Sequence, residues 1–248
     1  MLRVVAGIVL VTAGLLSSIA PQPAQGWTAA GAPSVHSVRS LDAFSSNWAG
    51  YAVTGGSYSA VAGRWTVPRV VPSAGPRASA VWLGIDGVTN GSLIQVGTEQ
   101  DSIDGRAAYF AWWEVLPAPA VRITSFAVRA GDRISASIQR VARGRWRISI
   151  RDARSGGFSI VRGYAGPGSS AEWIEEAPVE SGHIMPLATV APATFDLATV
   201  DGLDPGLDAA SRVTLVRGAT LATPSAPDRD GDGFTVRRGS VAPAPPSS

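Results

Sequence analysis

The sequence predicts an all-β protein, a single sandwich or barrel of antiparallel strands. Three observations lead there. From Ser45 onward, short runs rich in Val, Ile, Trp, Phe and Thr recur at about ten-residue spacing, separated by Gly, Pro, Asn and Asp. No helical period of 3.6 residues persists through any long window. The runs number about fourteen, which suits one sandwich or barrel domain.

In order, the runs are Trp48 to Val53, Val61 to Val67, Ala78 to Ile85, Ser92 to Thr98, Ala107 to Val115 and Ala120 to Arg129. They continue with Arg133 to Val141, Arg145 to Arg151, Phe158 to Tyr164, Ala171 to Glu176 and His183 to Val190. Thr194 to Thr199, Arg212 to Val216 and Gly233 to Arg237 complete the set. Alternation is clearest in Arg145 to Arg151, where Trp146, Ile148 and Ile150 face in and the arginines face water. That region is rich in arginine, yet its solvated face carries no aromatic residues for stacking bases, so it reads as a hairpin and not a nucleic-acid surface.

The chain has 248 residues, and its first 26 read as a secretory signal peptide. Arg3 supplies the positive end, Val4 to Ile19 is uncharged and mostly apolar, and small residues and prolines follow up to Gly26. The apolar run is shorter than the roughly 20 residues that span a bilayer. An exported, monomeric protein with no membrane segment is expected. Residues 27–44 read as a linker or short pro-segment, 45–238 as the folded domain and 239–248 as a disordered Pro/Ser-rich tail.

Composition excludes more than it assigns. Removal of Arg3 leaves 20 of the 21 basic residues, all arginine, against 19 acids. There is no polybasic surface in that balance. Cysteine is absent, which removes thiol nucleophiles, thiolate zinc sites and disulfides; a domain of this size folds without them. Histidine occurs only at His36 and His183. A serine triad would rest on His183 alone, with no G-x-S-x-G elbow. Near the C-terminus, Asp228-Arg229-Asp230-Gly231-Asp232-Gly233 resembles the first half of a calcium loop. Its twelfth position is Gly239 instead of a bidentate acid, and Phe234 opens a strand-like run, so it reads as a hairpin turn.

The chemistry gathers where strand patterns break. In Val81 to Gly87, parity puts Trp82, Gly84 and Asp86 on one face. Gln95 shares a face with Leu93 and Gly97, and Trp112 shares one with Glu114. In Ala171 to Pro178, between the Gly166 to Ser170 turn and a proline, Glu172, Ile174 and Glu176 face one way and Trp173 and Glu175 the other. Each break has an ordinary reading: a buried hydrogen-bonded Gln, a core Trp, a turn Asp before Gly87, or a solvated strand face. Recurrence in four strands equally fits a groove lined by Trp82, Asp86, Gln95, Trp112, Glu114, Glu172 and Glu176.

Six motifs in order carry a resemblance: Ser46 to Gly50, Trp65 to Pro68, Trp82 to Gly87, Leu93 to Gly97, Ala111 to Glu114 and Ala171 to Ile174. Together they resemble the eqolisins, the glutamic peptidases, over roughly Ser45 to Arg237. The resemblance implies an antiparallel β-sandwich of two large sheets, concanavalin- or lectin-like, and an acid endopeptidase of polypeptides without metal or cofactor. It implies a catalytic dyad of Gln95 and Glu172, with Trp82, Asp86, Trp112 and Glu114 lining the cleft; strand parity adds Glu176 as a supporting wall residue. The chain departs from the family in lacking cysteines and in carrying Leu116 where an aromatic residue often stands, which bears on one substrate subsite. A glycoside hydrolase using Glu172 with Glu114 or Glu176, or a carbohydrate-binding sandwich, is the alternative; Gln95 is the residue a glycosidase would not need.

Overall fold

The computed structural model describes residues 43–247. The expected signal segment, and residues 27–42 of the expected linker, lie outside them. Its elements are β1 (Ala43–Ser45), β2 (Trp48–Thr54), β3 (Ala60–Thr66), β4 (Ala80–Ile85), β5 (Ile94–Ile103), β6 (Arg106–Val115) and β7 (Val121–Ile123). Next come β8 (Arg133–Ala142), β9 (Arg145–Asp152), β10 (Gly156–Gly163), β11 (Ser170–Glu176), β12 (Val179–Glu180), β13 (His183–Ile184) and β14 (Ala193–Val200). A 3-10 turn at Ala209–Ser211, capped by Asp208, precedes β15 (Arg212–Arg217), β16 (Ala219–Pro224) and β17 (Phe234–Arg238). β1 begins two residues inside the stretch read as linker, because Ala43 to Ser45 pair in parallel with β15.

The hydrogen-bonded order is β10-β9-β8-β3-β14-β17-β16-β15-β2-β11-β4-β5-β6-β7. The sandwich is present, but its two layers are not separate sheets. They are joined edge to edge through β16 and β15 into one ribbon that folds over itself. One layer (β3, β8, β9, β10, β14, β17) packs on the other (β2, β4, β5, β6, β11), and both contribute to one core. Leu83, Ile85, Val96, Trp113 and Trp173 meet Val61, Ile138, Ile148, Phe195 and Phe234 there. The alternation predicted for β9 holds: Trp146, Ile148 and Ile150 are buried while Arg145, Arg147 and Arg151 are exposed.

Trp173 anchors β11, the strand that carries Glu172. It is fully buried between the layers, and its indole N–H donates to the Ala62 carbonyl at 2.8 Å. Removing a core Trp costs about 3–5 kcal/mol. This contact fixes β11 against the facing layer, and strand parity then turns Glu172, Ile174 and Glu176 to the opposite side. That side carries a second apolar cluster built from Trp48, Trp82, Phe110, Trp112 and Ile174.

Candidate active site

Register decides which side chains on that outer side meet. Glu172 of β11 pairs with Gly84 of β4, Gly84 pairs with Gln95 of β5, and Gln95 pairs with Glu114 of β6. The result is one row across four strands: Glu114, Gln95, Gly84, Glu172. Two residues along runs the row Trp112, Gly97, Trp82, Ile174, and beyond it Phe110, Glu99, Ala80, Glu176. Gln95 and Glu172 thus lie on strands either side of β4, about 9–10 Å apart at the backbone.

Close packing in the row requires glycine at position 84. A Cβ there would stand 2.9 Å from Trp82 Cζ3, 3.0 Å from Glu172 Oε1 and 3.1 Å from the Ile94 carbonyl oxygen. With only hydrogen at this position, the Glu172 carboxyl and the Trp82 ring close over the Gly84 backbone, where any side chain would have to displace them.

The flanking groups are held from outside. Gln95 Nε2 donates to Glu114 Oε2 at 2.6 Å, which leaves the amide its second N–H and its oxygen. Glu172 is fully buried, and neither of its oxygens has a hydrogen-bond partner; Gln95 Oε1 and Glu114 Oε1 are orphaned in the same way. An unpartnered buried polar atom costs about 1–3 kcal/mol, so a purely structural core would not collect several in one row.

Burial dominates the electrostatics. It pushes the Glu172 carboxyl well above the ordinary range, with the Asp86 charge adding to it; Ser170 acts the other way without reaching hydrogen-bond geometry. Burial likewise raises Glu114 to about 7, although the Gln95 amide opposes it. Glu176 is raised to about 8 by burial and by the charge of Glu114. Its oxygens accept from Asn47 Nδ2 at 2.7 Å and Trp82 Nε1 at 2.8 Å, so it orients the Trp82 ring, which meets Trp48 edge-on with centroids 5.0 Å apart. Trp82 is therefore a sealed floor under the row. Trp112 retains slight exposure and an unpaired indole N–H.

Asp86 stands apart from the expected groove lining. It adopts φ 72° just past β4, followed by Gly87 at φ 103°, so the chain turns out of the strand and parity no longer applies. Both oxygens are engaged: Oδ1 by Ser169 and Asn90, Oδ2 by the Tyr164 hydroxyl at 2.6 Å and the Gly168 N–H at 2.8 Å. It ties down the turn that leads into β11 and presents no oxygen to a substrate. Asp86→Ala strands these buried donors and is expected to cost about 3 kcal/mol or more in urea unfolding. A loss under 1 kcal/mol would contradict this role.

Sequence reasoning missed Glu99 and Asp101. β5 runs on to Ile103, so both share the face of Gln95. Burial and the charges of Asp101 and Glu176 raise Glu99 well above the usual carboxyl range, and burial raises Asp101 to about 7. As expected, Glu175 faces the other way, toward Ser79 at 3.2 Å. His183 is exposed on β13, outside the large sheet.

Residues 46–237 match the Peptidase A4 family. The chain belongs to that family. The eqolisin resemblance is thereby borne out. Among relatives of this Peptidase A4 chain, aspergillopepsin-2 of Aspergillus niger is 27% identical over 180 residues, 61% of this chain. The chain spans 63% of the length of that relative. Among solved structures, scytalido-glutamic peptidase with a transition state analog inhibitor superposes with a TM-score of 0.62 at 19% identity. SCP-B, a member of the eqolisin family in complex with the tripeptide Ala-Ile-His, gives 0.59 at 19% identity. Each superposition covers 78% of this chain and 98% of the other, which establishes the shared fold. A depression of about 680 Å³ on the opposite layer of this Peptidase A4 chain, lined by Arg64, Ser135, Arg151 and Phe158, has no acid in its lining. The carboxyl row is the better candidate.

Proposed function

We propose that this Peptidase A4 protein is a secreted endopeptidase that hydrolyses polypeptides on the acid side of neutrality, with Gln95 and Glu172 as its dyad. The observation that carries the reading is the register that sets an amide on one strand and a fully buried, unpartnered carboxyl on another to either side of Gly84. A water held between the two side chains gives its proton to ionised Glu172 and attacks the scissile carbonyl carbon. The oxyanion accepts the N–H of Gln95 that Glu114 does not use. Glu172 then returns the proton to the leaving amine, and the C–N bond breaks. Glu114 touches neither reacting atom; it fixes the amide.

The glycosidase reading loses support. Glu172 and Glu114 stand three strand spacings apart with β4 and β5 between them, about 14 Å at the backbone, against carboxyl separations of about 5–9.5 Å in glycosidases. Both oxygens of Glu176 are already occupied. Secretion rests on Arg3 and the apolar run that follows it; among the described residues, no helix is long and apolar enough to cross a membrane.

The pH profile tests the proposal. The base must be ionised, and burial lifts Glu172, so the acid limb stands above the ordinary carboxyl value of 4.5. Neutral Glu114 and Glu176 let a single charge sit at Glu172; their ionisation at about 7 and about 8 sets the alkaline limb. A bell in kcat/KM on denatured protein is expected, rising above the ordinary carboxyl value of 4.5 and falling through about 7 to 8. Activity that keeps rising to pH 3 would overturn Glu172 as base and assign its neutral carboxyl to proton donation.

A further inference from the structure

We propose that Asp196, Asp228 and Asp232 form a calcium site that clips the loop between β16 and β17 onto β14. The loop Asp228-Arg229-Asp230-Gly231-Asp232-Gly233 has acids at the first, third and fifth positions, the spacing of the opening half of a calcium loop, and glycine at the sixth. The acid that would close such a loop at its twelfth position is missing from the sequence. The fold supplies a replacement from elsewhere: one carboxylate oxygen each from Asp196, Asp228 and Asp232 lies within 4.8 Å of the others. A bulge between Asp196 and Thr199, with Leu197 at φ 52°, re-aims this part of β14, and Ala198 N–H donates to the Asp232 carbonyl at 3.0 Å.

The independent sign of a ligand is Asp228 itself, only 9% exposed. Its Oδ1 accepts from the N–H groups of Gly231, Asp232 and Gly233 at 3.0–3.2 Å, while Oδ2 is buried with no partner. Asp232 Oδ1 is buried and unpartnered as well. A Cβ at Gly233 would overlap Asp228 Oδ2, so glycine keeps that oxygen clear. Asp196 Oδ1 accepts from the Leu197 N–H at 2.9 Å, so the unmet oxygens are Asp228 Oδ2 and Asp232 Oδ1. Carboxylates converging there repel one another, and a hard cation relieves both deficits. The all-oxygen donor set on an irregular loop suits calcium, which accepts six to eight oxygens in flexible geometry, better than magnesium with its strict octahedron.

Thermal unfolding of chelator-treated full-length protein at neutral pH, with calcium chloride or magnesium chloride added, tests the site, together with calorimetric titration. Calcium at about 100 times its Kd is expected to raise the Tm by about 5–10 °C, and magnesium by less. Asp196→Asn, at an exposed position, and Asp232→Asn are expected to abolish the rise. Without ion, Asp196→Asn unfolds no earlier than wild type, since a repulsive charge is gone. No calcium heat and no Tm rise in the wild type, a rise retained in both variants, or a larger response to magnesium would overturn the assignment. None of these readouts depends on peptidase activity.

Discussion

Glu172→Gln is expected to lower kcat by about 10²–10⁴-fold on denatured protein substrate, with little change in KM. The substitution keeps the shape of the side chain and removes the proton acceptor. It should not weaken the fold. A fully buried carboxyl with unpartnered oxygens, raised by burial, is destabilising once ionised. A neutral amide in its place should leave the Tm at pH 7 unchanged or higher. Lost activity with retained or raised stability separates a catalytic carboxyl from a structural one. A parallel fall of both would assign Glu172 to packing.

Stability is expected to be greatest in acid and to fall as the pH rises through 7 to 8, the reverse of ordinary acid denaturation. The sign comes from proton binding. Burial raises Glu114 and Glu175 from 4.5 to about 7, Glu176 from 4.5 to about 8 and Asp101 from 3.8 to about 7. Between their unfolded and folded values the native state holds protons that the unfolded chain has released, so stability declines with rising pH. Their contribution is complete below the unfolded values and is lost above the folded ones. A carboxyl moved from 4.5 to about 7 supplies about 3 kcal/mol. Asp152, lowered chiefly through the Ser155 and Arg154 donors against its burial, works oppositely below pH 3.8 as a single group. Urea midpoints at pH 4, 6 and 8 should descend in that order; an ascending series would contradict the assignment of neutral buried carboxyls.

Much of this was legible in period-2 patterning. The faces of Trp82 and Gly84, of Gln95, of Trp112 and Glu114, and of Glu172 and Glu176 emerged as parity requires. Parity could not say which strands are neighbours, so the place of Gly84 between Gln95 and Glu172 emerged only from the register. It failed at Asp86, where a left-handed residue ends the strand. It also fell short at Glu99 and Asp101: the polar stretch after Thr98 reads as a turn, yet pairing with β6 along ten residues keeps it extended. The acidic loop Asp228 to Gly233 reads in the sequence as a hairpin turn; the third carboxylate that makes it a proposed calcium site, Asp196, comes from β14, 32 positions before Asp228.

A double-substitution cycle tests the central claim, that Gln95 and Glu172 act together across Gly84. Single-turnover cleavage of a denatured protein would be measured at the optimum pH for wild type, Gln95→Ala, Glu172→Gln and the pair. Loss of the Gln95 donor alone should cost about 10²–10³-fold. Residues that act as a unit are not additive, so the paired variant should be about as slow as Glu172→Gln alone. Losses that multiply, or cleavage that survives either single change, would contradict a dyad.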